Sequence, residues 1–184
     1  VPPRVWARPE RRSTCRAPQV MAAPPSAVGP RAEPMEAGGV VHGFDPDLLE
    51  YGDAESLVAQ TSAAVHAFIG QGHAASDIAV ITWRGRDHSR VVGCETLAGL
   101  RTRRFSGRYT DDGQAIVSDG ELQLETLFRF KGQAADSVVI TEIDFDSWTD
   151  DVRRRLFVGL TRARLKVALV ASASARRIVC ERLA

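Results

Sequence analysis

The chain has 184 residues, a formal net charge of +1 and 44% apolar residues, enough for one core-bearing domain and a tail but not for two full domains. So balanced a charge excludes a bulk electrostatic field as the basis of nucleic-acid binding, although of 24 lysines and arginines only Lys131 and Lys166 are lysine. No apolar run approaches the ~20 residues of a bilayer span, and Cys15, Cys94 and Cys180 lie far apart, as do four histidines without ligand spacing. Reduced thiols, no structural metal, no membrane partner and a cytoplasmic location are the expectation.

Residues 1–39 hold eight of the nine prolines and no apolar periodicity, so this segment is expected to be disordered. Its arginines suggest an organelle-targeting leader, but the prolines and Glu10, Glu33 and Glu36 break that likeness. The folded domain is expected over 40–184. Asp53 and Glu55 open a helix in which Leu57, Thr61, Ala64, Val65 and Phe68 keep a 3.6-residue rhythm up to Gly70 and Gly72. Asp77 leads into Ile78-Ala-Val-Ile-Thr-Trp83, a short apolar run suited to a buried parallel strand. The pattern from Ser89 to Leu100 predicts a second helix, and Thr102 to Phe105 a brief strand.

Strands are predicted over Gln114 to Ser118 and Leu122 to Phe128, around a Ser-Asp-Gly turn, and over the β-branched Ser137 to Ile143. From Trp148 a helical pattern runs directly into a strand pattern. Val152, Leu156, Leu160 and Ala163, with Phe157 beside them, form one apolar helical face. Arg155, Gly159 and Arg162 form a second stripe, in which two arginines flank a bare backbone patch. Spacing leaves open whether that stripe is a solvated face or an anion site. A strand over Lys166 to Ala171 follows, then a helix begun by Ser172 or Ser174 and carrying Ile178, Val179 and Leu183. Helices alternating with short apolar strands imply an α/β fold, a mostly parallel sheet flanked by helices on both faces.

A nucleotide hydrolase of this architecture carries a glycine-rich loop ending in Gly-Lys-Ser or Gly-Lys-Thr, and no Gly-Lys pair occurs in the chain. Val138 to Asp144 has the outline of a strand ending in a magnesium carboxylate, but reads better as a buried strand with an acidic exit. Asp144-Phe-Asp146-Ser-Trp148-Thr-Asp150 alternates acids like a calcium loop, yet Arg155 stands where the closing glutamate belongs.

Three segments together resemble the C-terminal motor domain of superfamily 1 DNA helicases of the UvrD/Rep type. Arg154-Arg-Leu-Phe-Val-Gly-Leu-Thr-Arg-Ala-Arg164 looks like motif VI, in which the arginine at the place of Arg162 reaches the γ-phosphate of ATP. Thr126-Leu-Phe-Arg-Phe-Lys-Gly-Gln-Ala-Ala-Asp136 is similar to motif V, Thr-x-His-x-x-Lys-Gly-x-Glu, with Phe128 in place of the histidine and Ala134 in place of the glutamate. Trp83-Arg-Gly-Arg-Asp-His-Ser-Arg90 looks like motif IV, whose aromatic residue stacks on adenine and whose following arginine meets the γ-phosphate.

The resemblance implies a RecA-like motor domain, the P-loop NTPase fold without its own P-loop. It implies Trp83, Arg84, Gly132 and Arg162 on the nucleotide side, with Arg162 and Arg84 as the catalytic cations. Thr126, Arg129 and Lys131 would contact a single-stranded DNA partner, with a solvent-facing charge as the alternative for Arg129. ATP with Mg2+ is expected to be held mainly by a further domain bearing the Walker A and B motifs, absent here, so the isolated chain is not expected to hydrolyse ATP. Residues 91–125 are too few for the large subdomain of classical members. The competing reading is a non-catalytic interaction module that keeps the fold.

Overall fold

The computed structural model describes residues 46–183, so the expected disorder of residues 1–39 lies outside the described residues. Strand β1 (Asp47–Tyr51) leads to helix α1 (Ala54–Gly70). Asp53 caps α1, its carboxylate accepting from Ser56 N at 2.8 Å while the Ser56 hydroxyl accepts from Asp53 N at 2.9 Å. All five residues of the predicted rhythm, Leu57, Thr61, Ala64, Val65 and Phe68, are buried. Strand β2 (Ile78–Thr82) follows, buried throughout.

The predicted helix over Ser89 to Leu100 does not form. That stretch holds turns and the short strand β3 (Thr96–Leu97), which pairs antiparallel with β4 (Leu100–Tyr109). The connection is Ala98-Gly99, with φ of 54° and 75°. Two consecutive left-handed residues suit a two-residue hairpin and end any helix, so turn geometry at the sheet edge overrides the local apolar spacing. Pairing with β3, with the strand over Leu122–Thr126 and with that over Ala115–Val117 extends the brief strand predicted at Thr102 to ten residues. Strand β5 (Ala115–Val117) also pairs with β4, and β6 (Leu122–Thr126) and β7 (Ala135–Ile143) follow.

Helix α2 (Asp150–Leu160) is capped by the Thr149 hydroxyl, which accepts from Val152 N at 3.2 Å. Strand β8 (Ala163–Ser172) and helix α3 (Ala173–Leu183) complete the described chain, with the Ser172 hydroxyl accepting from Ala175 N at 3.3 Å. The sheet order is β1-β8-β7-β2-β6-β4-β3, parallel from β1 through β4 and antiparallel only where β3 and β5 join β4.

Alternation along the central strands divides the core into two layers. Ile78, Val80, Val139, Ala168 and Val170 pack with α1 residues Leu57, Val65 and Phe68. Ala79, Ile81, Ile140, Val167 and Leu169 face the opposite way, against Val152 and Leu156 of α2 and Val179 of α3. A parallel sheet buried on both faces requires this continuous apolar character, and no helix among the described residues is long and apolar enough to cross a membrane.

Candidate functional site

A cleft of about 470 Å³ opens at the carboxyl ends of β2 and β6, where the chain leaves the sheet at Trp83 and Leu127, with one side of α2 as its wall. Ligands bind in crevices at the carboxyl ends of parallel strands because neighbouring loops diverge there. Four cations line it, Arg84, Lys131, Arg154 and Arg155, over an apolar floor that includes Trp83, Leu127 and Val158. Asp151 is the one carboxylate of the lining, and it pairs with Arg155 at 3.9 Å.

Of the residues singled out by sequence, the cleft brings together Trp83, Arg84, Thr126 and Lys131. Trp83 is 5% exposed and packs beside Phe145, with ring centres 6.1 Å apart. The Arg155 guanidinium lies 4.2 Å from the Trp83 ring centre and also donates to the Trp83 carbonyl. The indole is thus embedded, and a base stacking on it would have to displace Arg155. Arg84 pairs with Asp144 at 2.8 Å, so the acidic exit of β7 holds it at the cleft edge.

The arginine following Thr161 lies elsewhere. Helix α2 stops at Leu160, and Thr161 bonds back through its hydroxyl to Phe157 O at 2.9 Å. Pairing with β7 then draws the chain into β8, with Ala135 N donating to Arg162 O at 3.0 Å. Arg162 and Ala163 therefore leave the helical stripes predicted for them. The Arg162 guanidinium donates from Nε to Val158 O at 3.1 Å and from Nη1 to Gln133 O at 3.4 Å, completing the carbonyl end of α2 outside the cleft lining.

Gly159, predicted to leave a bare surface patch, is buried. A Cβ there would stand 2.6 Å from Ile140 Cδ1, so the glycine allows α2 to approach β7. Phe157, predicted on the core face, is 66% exposed.

Arg129 is fixed on the far side of its turn. Its guanidinium lies 3.7 Å from the Phe105 ring centre, pairs with Glu125 at 3.3 Å and reaches Tyr109 Oη at 3.3 Å. Burial pushes the Glu125 carboxyl above its ordinary pKa, and the charge of Arg129 draws it partly back. Gly132 adopts φ of 86° in open space, so its role here is conformational, and it is not part of the cleft lining.

Arg154 was missed as a candidate, although Asp151, Arg154, Arg155 and Val158 recur at helical spacing and line the cleft together. That stripe was visible in the sequence. Of the neighbouring stripe Arg155, Gly159 and Arg162, only Arg155 lines the cleft.

Residues 123–170 match the family model of the UvrD-like helicase C-terminal domain. This segment is similar in sequence to that helicase domain. It runs from β6 through most of β8, about a quarter of the chain, and contains Thr126, Phe128, Lys131, Arg154 and Arg155 of the cleft. Among solved structures, the C-terminal domain of a possible DNA helicase from Lactobacillus plantarum WCFS1 is similar, with 18% identity and a TM-score of 0.51. The likeness covers 76% of this chain and 80% of that one, and it shows a shared fold. No curated protein matches the chain.

Proposed function

We propose that this UvrD-like domain acts as the second half of an ATP-dependent DNA helicase motor, presenting a cationic cleft to a nucleotide whose other binding surface belongs to a domain with Walker A and B motifs. The observation that carries this reading is the convergence of Arg84, Lys131, Arg154 and Arg155 on one cleft at the carboxyl ends of β2 and β6. Arg84, Arg154 and Arg155 beside a single carboxylate suit a triphosphate chain, and guanidinium groups remain charged at every physiological pH. In phosphoryl transfer such groups stabilise charge developing on the γ-phosphoryl oxygens. ATP with Mg2+ would supply the transferable phosphoryl group. The metal carboxylates would come from the Walker-bearing partner.

Within this reading Arg84 and Arg154 stand closest to the chemistry. Arg162 serves it as a finger only by releasing the Val158 and Gln133 carbonyls. Lys131 and the Thr126 turn border a path for the phosphates of single-stranded DNA, an interaction that weakens with salt. Titration of the chain with a fluorescent ATP analogue tests the proposal. Arg84→Ala and Arg154→Ala are expected each to weaken binding about tenfold, the equivalent of ~1.4 kcal/mol per lost charged contact. No hydrolysis is expected from the chain alone. DNA-stimulated ATP hydrolysis without a Walker-bearing domain overturns the proposal.

One observation favours a non-catalytic interaction module: Trp83 and Arg84 are already engaged, by Arg155 and Asp144. An adjacent reading frame encoding Gly-Lys-Thr and Asp-Glu motifs distinguishes the two, since only the motor requires it.

A further inference from the structure

We propose that Phe128 is a stacking platform for a base of single-stranded nucleic acid, with Lys131 receiving a flanking phosphate. The proposal rests on the nucleic-acid part of the function above and assigns to it a residue that departs from the family pattern.

The turn from Leu127 to Phe130 explains why the ring is presented. Leu127 is 8% and Phe130 1% exposed, both within the core, and Arg129 is held over Phe105 and against Glu125. The backbone is tied at both ends, with Leu127 N donating to Thr82 O at 3.1 Å and Phe130 N to Thr126 O at 3.0 Å. Three of four side chains are thus anchored, and the fourth, Phe128, is 90% exposed. Among the large apolar side chains described it is the most exposed. An aromatic ring on an immobilised backbone loses little further freedom on binding.

The surroundings select the ligand. Phe128 shares the cleft with Lys131 and Arg154, while Asp151, the only lining carboxylate, is turned to Arg155. An apolar protein contact gains nothing from unpaired cations at its rim. A single strand offers both complements, a π-face for the ring and a phosphate for Lys131, whereas the bases of a duplex are stacked on one another. The recognition is expected to tolerate any base, because the ring reads no hydrogen-bonding edge.

The test is fluorescence anisotropy of a labelled thymidine oligonucleotide of about 12 residues, a length within the ordinary span of such sites, with the full chain. Phe128→Ala is expected to weaken binding about tenfold, within the range for one lost stacking contact. Phe128→Leu is expected to be as weak as alanine and Phe128→Tyr close to wild type, because stacking needs a ring rather than apolar bulk. Abasic substitution along the oligonucleotide should weaken the wild type and leave Phe128→Ala little changed. Wild-type binding that Phe128→Ala leaves intact, or that Phe128→Leu fully preserves, overturns this proposal alone. No binding by the wild type overturns it together with the single-strand reading. Loss of self-association in Phe128→Ala, with oligonucleotide binding unaltered, would make the ring a protein contact and likewise overturn the proposal.

Discussion

Arg155 holds Trp83 from two directions, with its guanidinium carbon 4.2 Å from the indole centre and its Nη2 donating to the Trp83 carbonyl. The contact joins α2 to the end of β2 across the floor of the cleft. One face of the Trp83 ring is therefore occupied by an arginine of the same domain. Access to it depends on whether a ligand can compete with that pair.

Replacing Arg155 by alanine removes a partly desolvated cation–π contact and a charge-assisted hydrogen bond, and is expected to cost about 1–2 kcal/mol of stability. It should also uncover the indole. With Trp6 and Trp148 changed to phenylalanine, acrylamide quenching of Trp83 is expected to rise in Arg155→Ala. Unchanged quenching would mean that the guanidinium does not shield the ring.

Gly159→Ala sets two effects against each other. Alanine gains roughly 1 kcal/mol of helix propensity, while its Cβ would stand 2.6 Å from Ile140 Cδ1. Overpacking a core costs about 1–3 kcal/mol, so a net loss near 1 kcal/mol is expected in urea unfolding. Adding Ile140→Val deletes the offending methyl. The double variant should therefore be more stable than the sum of the single changes predicts.

Glu142 is 1% exposed and has φ of 61°, a left-handed conformation that a glutamate rarely adopts. Its carboxylate compensates by accepting from Thr82 Oγ1 and, at 2.8 Å, from Arg90 N, tying the loop after Arg84 to the end of β7. Glu142→Ala leaves those donors short of a partner and is expected to cost about 2–3 kcal/mol. Glu142→Gly should recover about 1 kcal/mol of that loss by relieving the backbone. Chemical denaturation of the pair measures the difference, and equal stability would exclude backbone strain at this position.

Burial raises the Glu125 pKa, with Arg129 opposing. A folded-state value above the unfolded one means that the native state holds the proton longer. Its contribution to stability is complete below the unfolded pKa and is lost as pH rises through the folded one. Glu125→Gln mimics the protonated form at every pH. The stability of wild type relative to this variant is therefore expected to fall as pH rises above the ordinary carboxylate range, as followed by urea unfolding at a series of pH values. A difference that grows with pH would show that the Arg129 pair outweighs burial.

Elements with strong local signals were readable in advance. The Asp53 cap and the 3.6-residue spacing of Leu57 through Phe68 specify α1, and the mainly apolar, β-branched Ile78 to Thr82 and Ser137 to Ile143 specify strands buried on both faces. Motif spacing likewise marked Trp83, Arg84, Thr126 and Lys131, which the cleft unites. Elsewhere the determining partner is distant in sequence. Hairpin pairing across Ala98-Gly99 displaced a helix, and parallel pairing of β7 with β8 ended α2 before Arg162.

The directions of individual side chains were likewise tertiary decisions. Arg129 turned to Phe105, twenty-four positions away, and Gly159 turned to Ile140. Phe128 was left outside because its neighbours filled the interior. Periodicity reports which face of one element is apolar, since that depends only on the element's own backbone geometry. Which cation meets which aromatic or carbonyl depends on the packing of separate elements, and local spacing carries no record of it.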